Sequence, residues 1–115
     1  MNADELTTLV VDTLDDMKAQ DIRVLDVRGK TSVTDVMVIA SGTSARQVRA
    51  QSERVIEKAK KVGIVPLGTE GEKEADWVLV DLGDVVVHLM QPDIRDFYHL
   101  EKLWSTAIVN DSETG

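Results

Sequence analysis

A chain of 115 residues with 43% apolar side chains can build one compact core and is too short for two. With no cysteine, it is excluded from disulfides, thiolate catalysis and zinc sites built on thiolates. Its formal net charge of −8 argues against a broad nucleic-acid surface, which needs Lys and Arg to neutralise phosphates, and suits a basic partner protein instead.

The chain starts, from Met1 to Leu6, with polar and acidic residues and shows no basic flank before an apolar run. The longest apolar runs, Val36 to Ala40 and Val85 to Val87, are strand-sized and too short to cross a bilayer. A cytoplasmic protein without a membrane partner is therefore expected. Between Arg46 and Lys61 stand six basic and two acidic residues; between Glu70 and Asp84 stand six acidic residues and one Lys. The basic stretch could touch RNA locally or be the solvated face of a helix.

In chain order, Ala3 to Ala19 is expected to be an amphipathic helix. Leu6, Leu9, Val10, Thr13, Leu14 and Met17 recur at three- and four-residue steps, and Asn2 with Glu5 spells a capping box. Ile22 to Val27 is rich in β-branched residues and predicts a strand, closed by a turn at Arg28-Gly29-Lys30. Asp35 to Ser41 is nearly all apolar, the pattern of a strand covered on both faces. Gly42-Thr43-Ser44 leads into a helix over Ala45 to Val62, with Val48, Val55, Ile56, Ala59 and Val62 as its buried stripe. Ser44 and Gln47 suit an N-terminal cap, and Gly63 suits a stop.

Val65 to Gly68 predicts a short edge strand, because Pro66 cannot donate to a ladder. Thr69 to Asp76 is a polar, acidic loop. Trp77 to Leu82 and Val85 to Met90 form a hairpin across Gly83-Asp84. A last helix follows Pro92 towards Trp104. Residues 1–105 are then expected to form one domain and 106–115 a disordered tail. This order predicts an α/β fold, a two-layer or three-layer sandwich with a mixed sheet of four or five strands.

A two-residue turn sets Leu82 against Val85 and, going outward, Trp77 against Met90. Strand alternation then puts Val78, Val80, Leu82, Val85, Val87 and Leu89 on one aliphatic core face. The opposite face carries Trp77, Leu79, Asp81, Val86, His88 and Met90. Asp81 and His88 are diagonal neighbours there, close enough for a charge-assisted contact. Trp and Met favour protein interfaces, whereas Lys and Glu, which are disfavoured there, are missing from this face. A face of this kind serves either as a binding surface or as a seat for a covering helix.

The tests for chemistry come out negative. Gly42-Thr43-Ser44 could cradle an anion on backbone N–H groups, but it lacks the length and Lys of a P-loop, and helix capping accounts for it equally. Asp81 and Asp84 flank a turn without converging, and Asp26 and Asp35 are isolated near strand ends. His88 and His99 are the only histidines and lack metal-ligand spacing. Ser41, His88 and Asp81 spell a triad without a nucleophile elbow. No catalytic residue, metal or cofactor is expected.

The stretches DWVLVDLGDVVVHLMQPDIRDFYHLEKLW from Asp76, DVRGKTSVTDVMVIASGTSARQV from Asp26 and PLGTEGE from Pro66 resemble the Iojap family of ribosomal silencing factors. The most specific elements are Asp76-Trp77, Asp81-x-Gly83-Asp84, Val87-His88 and Tyr98-x-Leu100-Glu101-x-x-Trp104, and the likeness covers Leu6 to Ser105. The resemblance implies a nucleotidyltransferase-like fold without the acidic metal site, and a translation repressor that binds large-subunit ribosomal protein fourteen. Such a repressor blocks joining of the small subunit when nutrients are scarce. Assembly of the large subunit is the alternative role, with an enzyme on the transferase fold further behind; homodimerisation is left open, and no DNA partner is implied. On this basis Trp77 is expected to be the anchor, Leu79, Val86 and Met90 its apolar surround, and Asp81 a partner for a basic group. His88 would orient Asp81 or donate across the interface, and Tyr98 would extend the patch.

Overall fold

The computed structural model describes residues 1–30 and 34–98, the side chains of 97 and 98 excepted. The expected reach of the last helix to Trp104, and the tail 106–115, lie outside the described residues. Five strands and three helices follow in the order α1 (Ala3–Asp16), β1 (Gln20–Asp26), β2 (Val36–Ser41), α2 (Ala45–Lys61), β3 (Gly68–Glu70), β4 (Trp77–Asp81), β5 (Val85–Met90) and α3 (Pro92–Tyr98). The sheet runs β1-β2-β5-β4-β3; only β2 and β5 are parallel, and the other neighbours are antiparallel. This is the expected mixed α/β sheet, with five strands.

The helix starts follow the capping chemistry. Asn2 accepts the Glu5 N–H and the Glu5 carboxylate accepts the Asn2 N–H, so two orphan donors of α1 are satisfied reciprocally. Ser44 accepts the Gln47 N–H, but the Gln47 side chain turns to Thr43, accepting its backbone N–H and its hydroxyl. The Thr43 N–H that an anion would need is therefore occupied, and the turn is a helix cap. At Gly42 a Cβ would stand 2.9 Å from Val48 Cγ2 and 3.1 Å from Gln51 Oε1, so glycine lets α2 lie close against the end of β2.

Helices α1 and α2 cover one face of the sheet. Leu6, Val10 and Leu14 of α1, with Val48, Val55 and Ala59 of α2, pack on Val38, Ala40, Val78, Val80, Val87 and Leu89. Strands β2 and β5 are buried along their whole length, as the unbroken apolar run of β2 predicts. Two sequence expectations shift. Val62 is 44% exposed rather than part of the α2 stripe, because α2 ends at Lys61; the inward positions are completed instead by Gln51 and Ser52. The edge strand is Gly68–Glu70, not Val65 to Gly68: Val65 and Leu67 stand in the open, and pairing with β4 starts in earnest only beyond Pro66.

Leu89 sits at the centre of the sheet and is wholly buried. Leu89→Ala is expected to lose about 3 kcal/mol, the usual result of emptying a Leu-sized site in a packed core. Urea unfolding monitored by far-UV circular dichroism checks this, and a loss under about 1 kcal/mol would mean that the site can collapse.

Candidate protein-binding face

The β4–β5 register is the one that the two-residue turn predicts: Trp77↔Met90, Val78↔Leu89, Leu79↔His88, Val80↔Val87 and Asp81↔Val86. The Leu82 N–H donates to the Val85 carbonyl at 2.9 Å and closes the hairpin. Gly83 supplies the positive φ of +89° that the turn requires. The Asp81 carboxylate accepts the Gly83 N–H at 2.9 Å, which stiffens the turn from the outer face.

Trp77, Leu79, Asp81, Val86, His88 and Met90 thus share the face opposite α1 and α2, and β2 extends it, because Met37, Ile39 and Ser41 stand beside Val86, His88 and Met90. The face is neither fully open nor fully covered. Trp77, Leu79 and Asp81 are half-buried. Val86 and His88 are each 6% exposed, and Met90 is completely enclosed. Met90 forms a small second core with Met37 and Ile39, against which Leu25, Trp77 and Ile94 of α3 pack. Val86 and Met90 therefore correct the expectation of exposed apolar contacts, because β5 is buried along its whole length, and Met90 supports the floor on which Trp77 lies. The accessible part of the face is on β4. Tyr98 is the last described residue of α3, and its side chain lies outside the described part.

The expected contact between Asp81 and His88 does not form. Asp81 is engaged with Gly83, and His88 instead accepts the Trp77 indole N–H on Nδ1 at 3.0 Å. The two rings stand 5.9 Å apart and are tilted by 52°. Acceptance at Nδ1 puts the imidazole proton on Nε2. Burial pushes the His88 pKa down from 6.5 to about 4, so the ring is neutral at ordinary pH and the acceptor is available.

Several anchors were invisible in the sequence. Loop 71–76, which delivers Trp77, is tied down at both ends. The Arg49 side chain of α2 donates to the Glu72 and Lys73 carbonyls at 3.0 and 2.9 Å. Gln91 donates its side-chain amide to the Ala75 carbonyl at 3.2 Å and its backbone N–H to the Asp76 carbonyl at 2.9 Å. Gly71, at φ +87°, passes so close to the Trp77 carbonyl that no Cβ fits. Arg95 of α3, 4% exposed, donates to Ser41 Oγ at 2.9 Å and lies 3.5 Å from the Asp21 carboxylate. The Arg23 hydrogen bond, helped by the nearby Arg95 charge, outweighs desolvation and holds the Asp21 carboxyl below its usual range. Spacing alone gave no hint of these long-range ties.

The acids near the strand ends meet a guanidinium. Arg28 lies 2.9 Å from Asp4, 3.9 Å from Asp26 and 4.0 Å from Asp35. Among the described residues, no group of three His, Asp or Glu side chains could hold a metal ion, and no helix is long and apolar enough to cross a membrane.

A mixed sheet helix-covered on one face, with a braced Trp-His pair on the other, defines a compact α/β domain. The family model described as ribosomal silencing factor during starvation matches residues 1–114, and the chain belongs to that family. It is 50% identical over 100 residues to the ribosomal silencing factor RsfS of Haemophilus influenzae, covering 87% of this chain and 98% of that one. A crystal structure of a Chromobacterium violaceum protein superposes with a TM-score of 0.89 at 44% identity, covering 91% of this chain and 88% of that one. A mouse relative named mitochondrial assembly of ribosomal large subunit protein 1 is 38% identical over 106 residues, 90% of this chain and 46% of that one.

The His88 environment sets a pH dependence. Between the unfolded pKa of 6.5 and the folded value of about 4, the unfolded chain binds a proton that the folded chain refuses. The stabilisation is complete above that window and is lost as pH falls through it. Stability is expected to drop by about 2 kcal/mol from pH 7 to pH 5 through this group. His88→Asn lacks that drop. Urea midpoints of both proteins at the two pH values measure it, and a wild-type midpoint that does not move contradicts it.

Proposed function

We propose that the chain represses translation by binding the large ribosomal subunit through large-subunit ribosomal protein fourteen and blocking the small subunit sterically. The observation that carries this reading is a half-exposed Trp77, hydrogen-bonded to His88 and flanked on β4 by half-exposed Leu79 and Asp81. A rigid aromatic beside a carboxylate is the composition of an interface anchor. Exposed Glu72, Glu74 and Asp76 precede Trp77, and the chain carries a net charge of −8. This field draws in a basic ribosomal protein and repels bare RNA phosphates. Family membership supports the ribosome as the target, and the resemblance of the Asp76 stretch supports the particular ribosomal protein.

In this mechanism Trp77 packs its ring on the partner and Asp81 meets a basic group at the rim. The helices α1 and α2 stand on the far side of the sheet and supply the bulk that the small subunit cannot pass. The name of the mouse relative favours a second reading, assistance in building the large subunit. The two readings share one surface and differ in outcome: a deletion strain that accumulates immature large subunits supports assembly, and one with normal subunits that fail to stay apart in starvation supports repression.

Truncating a central aromatic anchor typically removes at least ~2 kcal/mol of binding, roughly thirtyfold in affinity. Trp77→Ala is therefore expected to fold and to lose co-sedimentation with purified large subunits. Retained co-sedimentation removes Trp77 from the contact.

A further inference from the structure

We propose that His88 is a positioning residue for partner binding: it takes the Trp77 indole N–H and fixes the ring in its docking orientation. The inference rests on the docking reading of the same face. Trp77 opens β4 directly after an acidic loop and is half-exposed. A half-exposed indole on a strand end has rotamers to lose on binding. Its N–H points at a ring that cannot follow it into solvent. His88 lies in β5, a strand buried at every position between β2 and β4. Wholly buried Ile39 stands beside it on one side and Leu79 on the other. The 52° tilt and the 3.0 Å N–N distance make the contact an N–H···N hydrogen bond rather than a ring stack. Below the indole, the Met37, Ile39 and Met90 cluster closes the floor.

Two consequences follow for recognition. The ring is already oriented before the partner arrives, so less entropy is lost on docking. The indole N–H is also satisfied within the chain, so the partner needs an apolar or cationic surface for the ring and no acceptor for its nitrogen.

The test uses the full chain, His88→Leu, which loses the acceptor, and His88→Asn, whose side-chain oxygen can stand in for Nδ1. The readouts are affinity for purified large subunits by co-sedimentation and the Trp77 indole N–H resonance, assigned against Trp77→Phe to separate it from Trp104. His88→Leu is expected to move the resonance towards that of a solvated indole and to weaken binding roughly five- to tenfold, the entropy of ordering one side chain on docking. His88→Asn keeps binding within about twofold, an outcome that general destabilisation at this site would not give. Backbone amide spectra identify a variant that has unfolded. If the Leu variant does not fold, the wild-type chain still decides: a nitrogen–nitrogen coupling across Trp77 Nε1–H···His88 Nδ1 supports the proposal, and its absence overturns it. Full affinity in a folded His88→Leu, or equal losses in both variants, overturns the positioning role alone. A wild-type chain that does not bind large subunits overturns the docking reading and this inference with it.

Discussion

The two-residue turn at Gly83-Asp84 decides more about this protein than any other local feature. Its geometry pins Leu82 against Val85, and every side chain of β4 and β5 is then committed to one face or the other. A slip of β4 by one residue would turn Val78 and Val80 out of the core and carry Trp77 and Leu79 into it. The six aliphatic side chains sealed under α1 and α2 resist that slip: burying each contributes on the order of 2 kcal/mol, far more than one turn can oppose. Asp81 adds a local brace by accepting the Gly83 N–H. The same register that builds the core therefore places the indole and the imidazole together on the opposite face.

On the opposite face, the proposed binding surface shares a sheet with part of the core. The interior positions of that face, Met37, Ile39 and Met90, form a closed apolar layer beneath Ile94 and Trp77. Its accessible positions lie towards β4, near the sheet margin. Residues at the centre support, and residues near the edge remain for contact. Arg49 and Gln91 hold loop 71–76 through its backbone carbonyls, which fixes the strand entry without using the loop's acidic side chains. The negative charge of Glu72, Glu74 and Asp76 thus stays in solvent.

Much of this was legible in the residues. Asn2 with Glu5 marked the start of α1, the unbroken run of β2 announced burial on both faces, and the Gly-Asp turn fixed the hairpin pairing residue by residue. These features are local, set by interactions over two to four positions. Apart from the end of α2 and the start of β3, the misreadings concern contacts between residues distant in sequence. Asp81 and His88 were correctly read as diagonal neighbours, but the indole N–H of Trp77, eleven residues from His88, bonds to the imidazole instead. Met90 has the composition of an interface residue, and its packing with Met37, Ile39 and Ile94 of α3 turns it into core. Arg49 reads as one cation on a solvated helix face, yet its fork geometry matches two carbonyls of a loop more than twenty residues away. Alternation assigns a face; it does not say what crosses that face.

The proposed function is that of a member of the silencing-factor family that acts by occupying space. The most direct test is reassociation of purified ribosomal subunits, resolved on sucrose gradients. Adding the wild-type chain to large subunits before small subunits should leave the two populations separate, and Trp77→Ala should let intact ribosomes form. Normal ribosome formation in the presence of saturating wild-type chain would contradict the account.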